Sequence, residues 1–299
     1  PHIGLIGLAW GVVIGALLHL LVQVPTLRHL GFRYQFILDW RDKHLRQIGR
    51  IMIPRTLGLA VSQLNLLAMT VLASKLASGS LAVFNLANNL QSFPVGIFGL
   101  SFAVAAFPTM SALVADKDKL KASLTATIRQ TLFLVIPSTV MILGLRAQII
   151  RVILGSGRFD WQDTILTMRT LSYFGISIFA QSLNAILVRV FYAYKNSATP
   201  FWISLVSSLV NISLAWLLSG QLGVAGLALA FSVGSIVNLI LLWIFLRIKA
   251  PVLDGRAIAD GAIKMVIAAA ISGLAIMEAK KIIAPLVNMR TFWGIFGQL

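Results

Sequence analysis

Asn85-Leu-Ala-Asn88-Asn89-Leu-Gln91-Ser92-Phe-Pro94-Val-Gly96-Ile-Phe-Gly99 is the stretch on which the reading of this chain turns. It lies in a run, residues 80–114, that is too apolar for a water-facing surface yet carries amides, prolines and glycines. At 3.6 residues per turn, Asn85, Asn88, Asn89, Ser92, Gly96, Gly99 and Ala103 fall on one helical stripe. Uncompensated amides are costly in hydrocarbon, so the stripe must face protein or water. Two readings compete: a small-residue packing face with interhelical hydrogen bonds, or the wall of a polar cavity through a membrane protein.

The rest of the chain supplies the solvent. Of its 299 residues, 58% are hydrophobic and only 11% charged, and the mean hydropathy is +0.90. Soluble domains carry roughly 25% charged residues, so composition makes this an integral membrane protein. There is no cysteine, which excludes disulfides, a thiolate nucleophile and cysteine-ligated metal sites. A net charge of +16 would point to nucleic acid in a soluble protein. Here it points to basic cytoplasmic loops and an anionic lipid substrate, with no nucleic-acid partner. The chain opens on Pro1, is apolar from Ile3, and ends as another apolar run begins at Thr291. It reads as a fragment of a longer protein without a separable signal peptide.

A membrane span needs about 20 mainly apolar residues. Eight segments qualify: 3–24, 51–73, 80–114, 123–154, 164–194, 200–218, 223–246 and 257–284. The fold class is therefore all-α, a polytopic transmembrane bundle. The third to fifth segments are over-long and should tilt or kink, with Pro94, Pro108 and Pro137 as kink positions. The connection 25–50 mixes Phe32, Tyr34, Phe36, Ile37, Leu38 and Trp40 with basic residues, which suits an interfacial segment. Loops 25–50, 115–122, 195–199 and 247–256 hold thirteen lysines and arginines. The opposite side holds five, Lys75, Arg158, Lys280, Lys281 and Arg290, so the first set is cytoplasmic. One internal echo, Gly96-Ile-Phe-Gly99 against Gly223-Val-Ala-Gly226, is of a kind that close helix packing also produces.

Chemistry-bearing residues are few. No acid lies near the middle of a span, whereas a proton relay or carboxylate-held metal would want one at depth. His2, His19, His29 and His44 lack metal-ligand spacing, and no nucleophile–base–acid trio can be assembled. The expectation is no enzyme, no metal and no cofactor. Basic residues say more. Arg55 lies one turn inside the second span and Arg189 near the inner end of the fifth. Arg151, Arg158 and Arg169 gather toward the outer face, where they could meet an anionic ligand, snorkel to headgroups, or pair with Asp160 and Asp163. Further polar stripes run along other spans: Arg55, Gly58, Ser62, Asn65; Ser177, Gln181, Asn184; Ser204, Ser207, Ser208, Asn211; Ser232, Ser235, Asn238. So many stripes suggest a bundle around a hydrated interior.

Three motifs are then familiar. The segment Pro94-Val-Gly-Ile-Phe-Gly-Leu-Ser-Phe-Ala-Val-Ala-Ala-Phe-Pro108-Thr-Met-Ser111 resembles a signature of the MurJ (MviN) lipid II flippase family. Gly155-Ser-Gly157-Arg-Phe159-Asp and Arg189-Val-Phe-Tyr192-Ala-Tyr-Lys-Asn-Ser-Ala-Thr199-Pro200 are similar to two more, in the same order. The resemblance implies two six-helix lobes around a central cavity, of which this chain would hold a MATE-like second lobe at 51–247. Residues 1–24 would be the last helix of the first lobe, 25–50 a cytoplasmic linker, and 248–299 a loop, one further helix and the start of another. It implies a bacterial inner-membrane transporter that moves a polyprenyl-pyrophosphate-linked peptidoglycan precursor between leaflets by alternating access. Its partners would be the anionic lipid-linked substrate, membrane lipids and cell-wall synthesis proteins, and it would be monomeric.

On this reading Arg55, Ser62, Asn65, Asn85, Asn88, Asn89, Ser92 and Arg189 line the cavity, and Pro94, Gly96, Gly99 and Pro108 act as hinges. One departure stands out. The family carries an arginine before the proline, read as meeting substrate phosphates, where this chain has Asn89. Arg55 is the expected compensator. The alternatives are a flippase for another polyprenyl-linked oligosaccharide, a drug exporter of the same superfamily, a polyprenyl-phosphate transferase and a structural cell-wall partner. An exporter of cations would want acids in the cavity, where no span supplies one near its middle, and a transferase would want loop or interfacial acids for a metal.

Overall fold

The computed structural model describes residues 4–31, 42–154 and 160–283, and among them every regular element is helical. In chain order these are α1 (Gly4–His29), α2 (Lys43–Ser74), α3 (Ser80–Pro94), a π-helical turn (Val95–Leu100), α4 (Ser101–Ala112) and α5 (Lys117–Gly144). There follow α6 (Arg146–Leu154), α7 (Trp161–Gly175), α8 (Ile178–Ala193), α9 (Ala198–Leu222), α10 (Val224–Lys249) and α11 (Gly255–Ile283). Among the described residues seven helices, or eight spans when the bent pair α7 and α8 counts as one, are long and apolar enough to cross a membrane. The aromatic part of the expected interfacial connection, at 32–41, and the loop 155–159 lie outside the described residues.

The chain divides into two units, Pro1–Gln47 and Ile48–Leu299. In the first, α1 is apolar all round, with Trp10, Val12, Leu17, Leu20 and Val22 exposed, as suits a helix solvated by lipid. The second unit is a bundle with two buried apolar clusters. One joins Leu120, Leu124, Ile128, Leu187, Phe191 and Leu242. The other joins Met69, Phe84, Ile150, Leu171, Phe174 and Leu227. Between them along α3, α8, α9 and α10 comes a polar layer, with Asn211 and Ser235 near the centres of their helices. Exposed Leu59, Leu67, Trp202, Trp216, Ile267 and Leu274 give the outside its lipid-facing character.

Helix ends follow from local chemistry. Asp116 caps α5 by accepting from Lys119 N at 3.1 Å. Asp160 and Asp163 form a reciprocal capping box at the start of α7. Asp254 accepts from Ala257 N at 3.1 Å and sits 3.6 Å from Lys121 Nζ, tying the start of α11 to that of α5. That backbone hydrogen bond, then the Lys121 charge, outweigh the opposing effect of burial and hold the Asp254 carboxyl below the usual carboxylate range. α9 turns into α10 through Gly223 alone, at φ 60° and ψ −139°, a conformation that a side chain disfavours. The segment read as one span at 123–154 instead stops at Gly144. There Arg146 and Lys280 donate to the Leu143 and Gly144 carbonyls, both at 3.0 Å, as cations do at a helix C-terminus.

The prolines differ in whether they interrupt regular helix. Pro137 and Pro108 sit inside continuous helices. Pro94 offers no N–H to the preceding turn and crowds it, and the next six residues widen into π helix. A π turn displaces the helical register, so the single stripe drawn at 3.6 residues per turn splits. Asn85, Asn89, Ser92 and Gly96 are exposed, whereas Gly99 and Ala103 are buried. A bend of 43° lies between α7 and α8 at Gly175–Ser177, where no proline stands.

Gly99 is therefore a packing residue: a Cβ there would lie 2.7 Å from Ser182 Cα of α8, while Gly96 has open space. Gly99→Ala should destabilise the bundle by about 1–3 kcal/mol, as overpacking does. Gly96→Ala should be neutral or slightly stabilising, since a helical alanine in open space is favoured over glycine, measured by thermal unfolding of the detergent-solubilised protein. Equal melting temperatures for the two variants would contradict this packing.

Candidate functional site

The polar stripes converge. Ser62 and Asn65 from α2, Asn88, Gln91 and Ser92 from α3, and Gln181, Asn184 and Arg189 from α8 face one cavity of about 570 Å³. Ser204, Ser207, Ser208 and Asn211 from α9 close it with Ser235 and Asn238 from α10. Among the described residues Arg189 is the one charged side chain in this lining, and none of them brings a carboxylate to its walls. Phe84, Met69, Val95, Val188 and Phe231 supply apolar patches between the polar groups.

A chain of amides stitches the walls together. Gln181 Nε2 donates to Gln91 Oε1 at 2.7 Å, and Gln91 Nε2 donates to Asn88 Oδ1 at 3.0 Å. Gln181 Nε2 also reaches Ser177 Oγ at 3.0 Å, at the last residue of the α7–α8 break. Ser232 of α10 donates to the Tyr173 carbonyl at 2.7 Å and lies 3.0 Å from Ser177 Oγ. The carbonyls that bending frees thus find partners inside the protein. Asn184 Nδ2 donates to the Ser235 carbonyl at 3.0 Å.

α2 spans the cavity as a separate wall. Ser197 Oγ donates to the Ile51 carbonyl at 2.7 Å near one end, and Asn211 Nδ2 donates to Asn65 Oδ1 at 2.9 Å in the middle. Met69 and Ala73 are buried in the second apolar cluster toward the other end. Asn184 Oδ1, Ser207 Oγ and Asn211 Oδ1 are buried without a protein partner among the described residues. All three residues also contribute to the cavity lining.

Of the residues expected at the site, Ser62, Asn65, Asn88, Ser92 and Arg189 line the cavity together. Arg189 Nη1 is braced on the Ala185 carbonyl at 2.7 Å. Arg55 is exposed outside the lining and stacks over the Tyr192 ring with its guanidinium carbon 5.2 Å from the centroid. Tyr192 lies within electrostatic reach of both arginines. Asn85 and Asn89 stand on the exposed face of α3, outside this lining. At the other end, Arg151 stacks over Trp161 at 5.3 Å and Arg169 is exposed; Arg158 lies outside the described residues. Asp160 and Asp163 are engaged in capping α7 and form no ion pair with an arginine among the described residues. Gln91 escaped the sequence reading of the site. It sits beside the stripe rather than on it, and only its pairing with Gln181 shows that it belongs.

Membrane-spanning helices packed around a polar mid-depth cavity, without a strand among the described residues, define a MATE-like helical membrane lobe. The solved structure of a lipid II flippase MurJ in an inward closed conformation superposes with a TM-score of 0.70 at 22% identity, covering 99% of this chain and 59% of that one. An outward-facing multidrug resistance MATE family transporter of the MOP superfamily superposes at 0.61 and 18% identity, covering 79% and 54%. The family model described as lipid II flippase MurJ matches residues 1–297, and this chain belongs to that family. A probable lipid II flippase MurJ of Thermotoga maritima is 33% identical over 269 residues, 90% of this chain and 53% of that protein. One of Bdellovibrio bacteriovorus is 29% identical over 266 residues, 88% and 51%. The chain thus spans about half the length of these curated relatives.

The Gln91–Gln181 pair gives a stability test. Gln91→Met or Gln181→Met alone strands a buried amide and should cost about 1–3 kcal/mol. The double variant should recover part of that, with a coupling of about 0.6–1.7 kcal/mol in a double-mutant cycle of unfolding in detergent. Strictly additive losses would mean that the two amides do not depend on each other.

Proposed function

We propose that this chain forms the cavity-bearing half of a flippase that carries a polyprenyl-pyrophosphate-linked peptidoglycan precursor, lipid II, from the inner to the outer leaflet of the bacterial inner membrane. The observation that carries the reading is the cavity itself. It lies at mid-depth, is walled by amides and hydroxyls, holds one guanidinium and has no carboxylate in its lining. Neutral amides and hydroxyls exchange hydrogen bonds with a sugar–peptide headgroup at little desolvation cost, and a guanidinium matches phosphate oxygens in a bidentate fork. A drug exporter for cations is disfavoured by the same inventory, since nothing in the lining would balance a positive ligand.

Arg189 is the residue we assign to the pyrophosphate. Arg55, stacked on Tyr192, would complete the site by swinging from the ring to the phosphate as α2 moves. This arrangement compensates for the neutral side chain at Asn89. The exposed face of α3 with Asn85 and Asn89 would look onto the portion of the flippase that this chain does not span. The transport step is alternating access, in which charge, amides and helix breaks serve binding and movement rather than bond-making.

The test is leaflet-resolved labelling of lipid II in cells depleted of their own flippase and supplied with the full-length protein. The wild type should restore outer-leaflet lipid II. Arg189→Ala and Arg55→Ala should each lower the rate about ten- to hundred-fold, the worth of one charge-assisted hydrogen bond. Arg→Lys should retain part of it. Normal outer-leaflet labelling without the protein, or with both arginines replaced, would overturn the assignment.

A further inference from the structure

A second basic feature lies on the opposite flank of the bundle, away from the cavity. Arg129 sits on α5, twelve residues and about 18 Å from Lys117, well inside a helix long and apolar enough to span the membrane. It is exposed, as are its neighbours Gln130 and Phe133, the latter at 62%. Together with Phe102 of α4 and Met265 of α11 they line a recess of about 610 Å³. The position of the side chain is built in: a Cβ at Gly261 of α11 would lie 3.1 Å from Arg129 Nε, so the absent side chain there makes room for the arginine.

Lys264 stands one turn beyond Gly261 and next to Met265. It is exposed among Ile263, Val266 and Ile267, which are 57%, 53% and 55% exposed. The Lys121–Asp254 contact holds the starts of α5 and α11 together, so both cations lie within the cytoplasmic half of their spans. Neither forms an ion pair among the described residues, where the pairs are Lys119–Asp116, Lys121–Asp254 and Lys281–Glu278. Asp260, the acid nearest to them on α11, is exposed and pairs with neither.

Two unneutralised cations on an apolar lipid-facing surface are costly unless an anion meets them. We infer that this recess binds the phosphate headgroup of an anionic phospholipid of the inner leaflet, phosphatidylglycerol or its dimeric relatives. Arg129 grips the phosphate, Lys264 adds the second charge, and Gln130 hydrogen-bonds the glycerol, while the acyl chains lie on Phe133 and Met265. Snorkelling brings both side chains toward the headgroup level, and basic pockets between helices on the cytoplasmic side have the charge to hold such lipids. The site is independent of the cavity and of what the cavity carries.

The experiment is native mass spectrometry of the full-length protein, titrated in turn with phosphatidylglycerol and phosphatidylethanolamine. The wild type should retain phosphatidylglycerol preferentially. Arg129→Gln with Lys264→Gln should weaken that retention at least about tenfold and leave phosphatidylethanolamine unchanged. Arg129→Lys with Lys264→Arg should preserve it, which separates lost charge from misfolding. Millimolar inorganic phosphate should not displace the lipid. Equal phosphatidylglycerol retention by wild type and the Gln/Gln variant would overturn the site. Displacement by free phosphate would also overturn it, by showing that lipid is not required.

Discussion

Everything in this structure depends on the rule that a polar group in hydrocarbon must find a partner inside the protein or a pocket of water. The bundle answers with a polar layer set between two apolar clusters. Gln91 and Gln181 pair across helices, Asn65 pairs with Asn211, and Ser232 takes the Tyr173 carbonyl at the break. Asn184, Ser207 and Asn211, whose side-chain oxygens find no partner among the described residues, all contribute to the lining of one cavity. Its amides and hydroxyls suit water, and the apolar clusters on either side keep the rest of the bundle dry.

The same rule explains how the helices can be broken. A bend frees backbone carbonyls, so in lipid it survives only where a neighbour satisfies them. The α7–α8 bend meets this condition because α10 brings a serine to it. The π turn after Pro94 does so by staying helical while shifting register, which moves Gly99 onto Ser182 and leaves Asn85 and Asn89 outward. Bends and cavity are thus one arrangement. A bundle of straight helices with this sequence would bury polar groups beside lipid.

Much of this was legible in the sequence. Apolar length defines the spans, because a bilayer imposes one scale on every helix. The stripes at Ser62–Asn65, Gln181–Asn184, Ser204–Asn211 and Ser235–Asn238 do converge, since three- and four-residue spacing survives in unbroken helices. What failed to show was whatever depends on departures from that spacing. Gln91 lies off the stripe, and the π turn rotates the residues after Pro94 by an amount no periodicity displays. The break at Gly175–Ser177 has no proline to announce it; its signals are a glycine and two serines on different helices. The internal echo does hold at its second glycine. Gly99 and Gly226 both sit where a side chain would strike a neighbour, Ser182 in one case and Leu218 in the other.

The central claim is that water fills this cavity and that the substrate replaces it there. The sequence described here contains no cysteine, so single probes can be placed cleanly. Asn238→Cys, in the cavity wall, and Trp216→Cys, on the exposed face of α9, should be challenged with a membrane-impermeant thiol reagent in inverted vesicles, with and without lipid II. The account predicts that the Asn238→Cys variant is labelled and that lipid II slows its labelling, while the Trp216→Cys variant stays unlabelled throughout. Protection of both from the reagent, or labelling of the Asn238→Cys variant at the same rate with lipid II present, would contradict it.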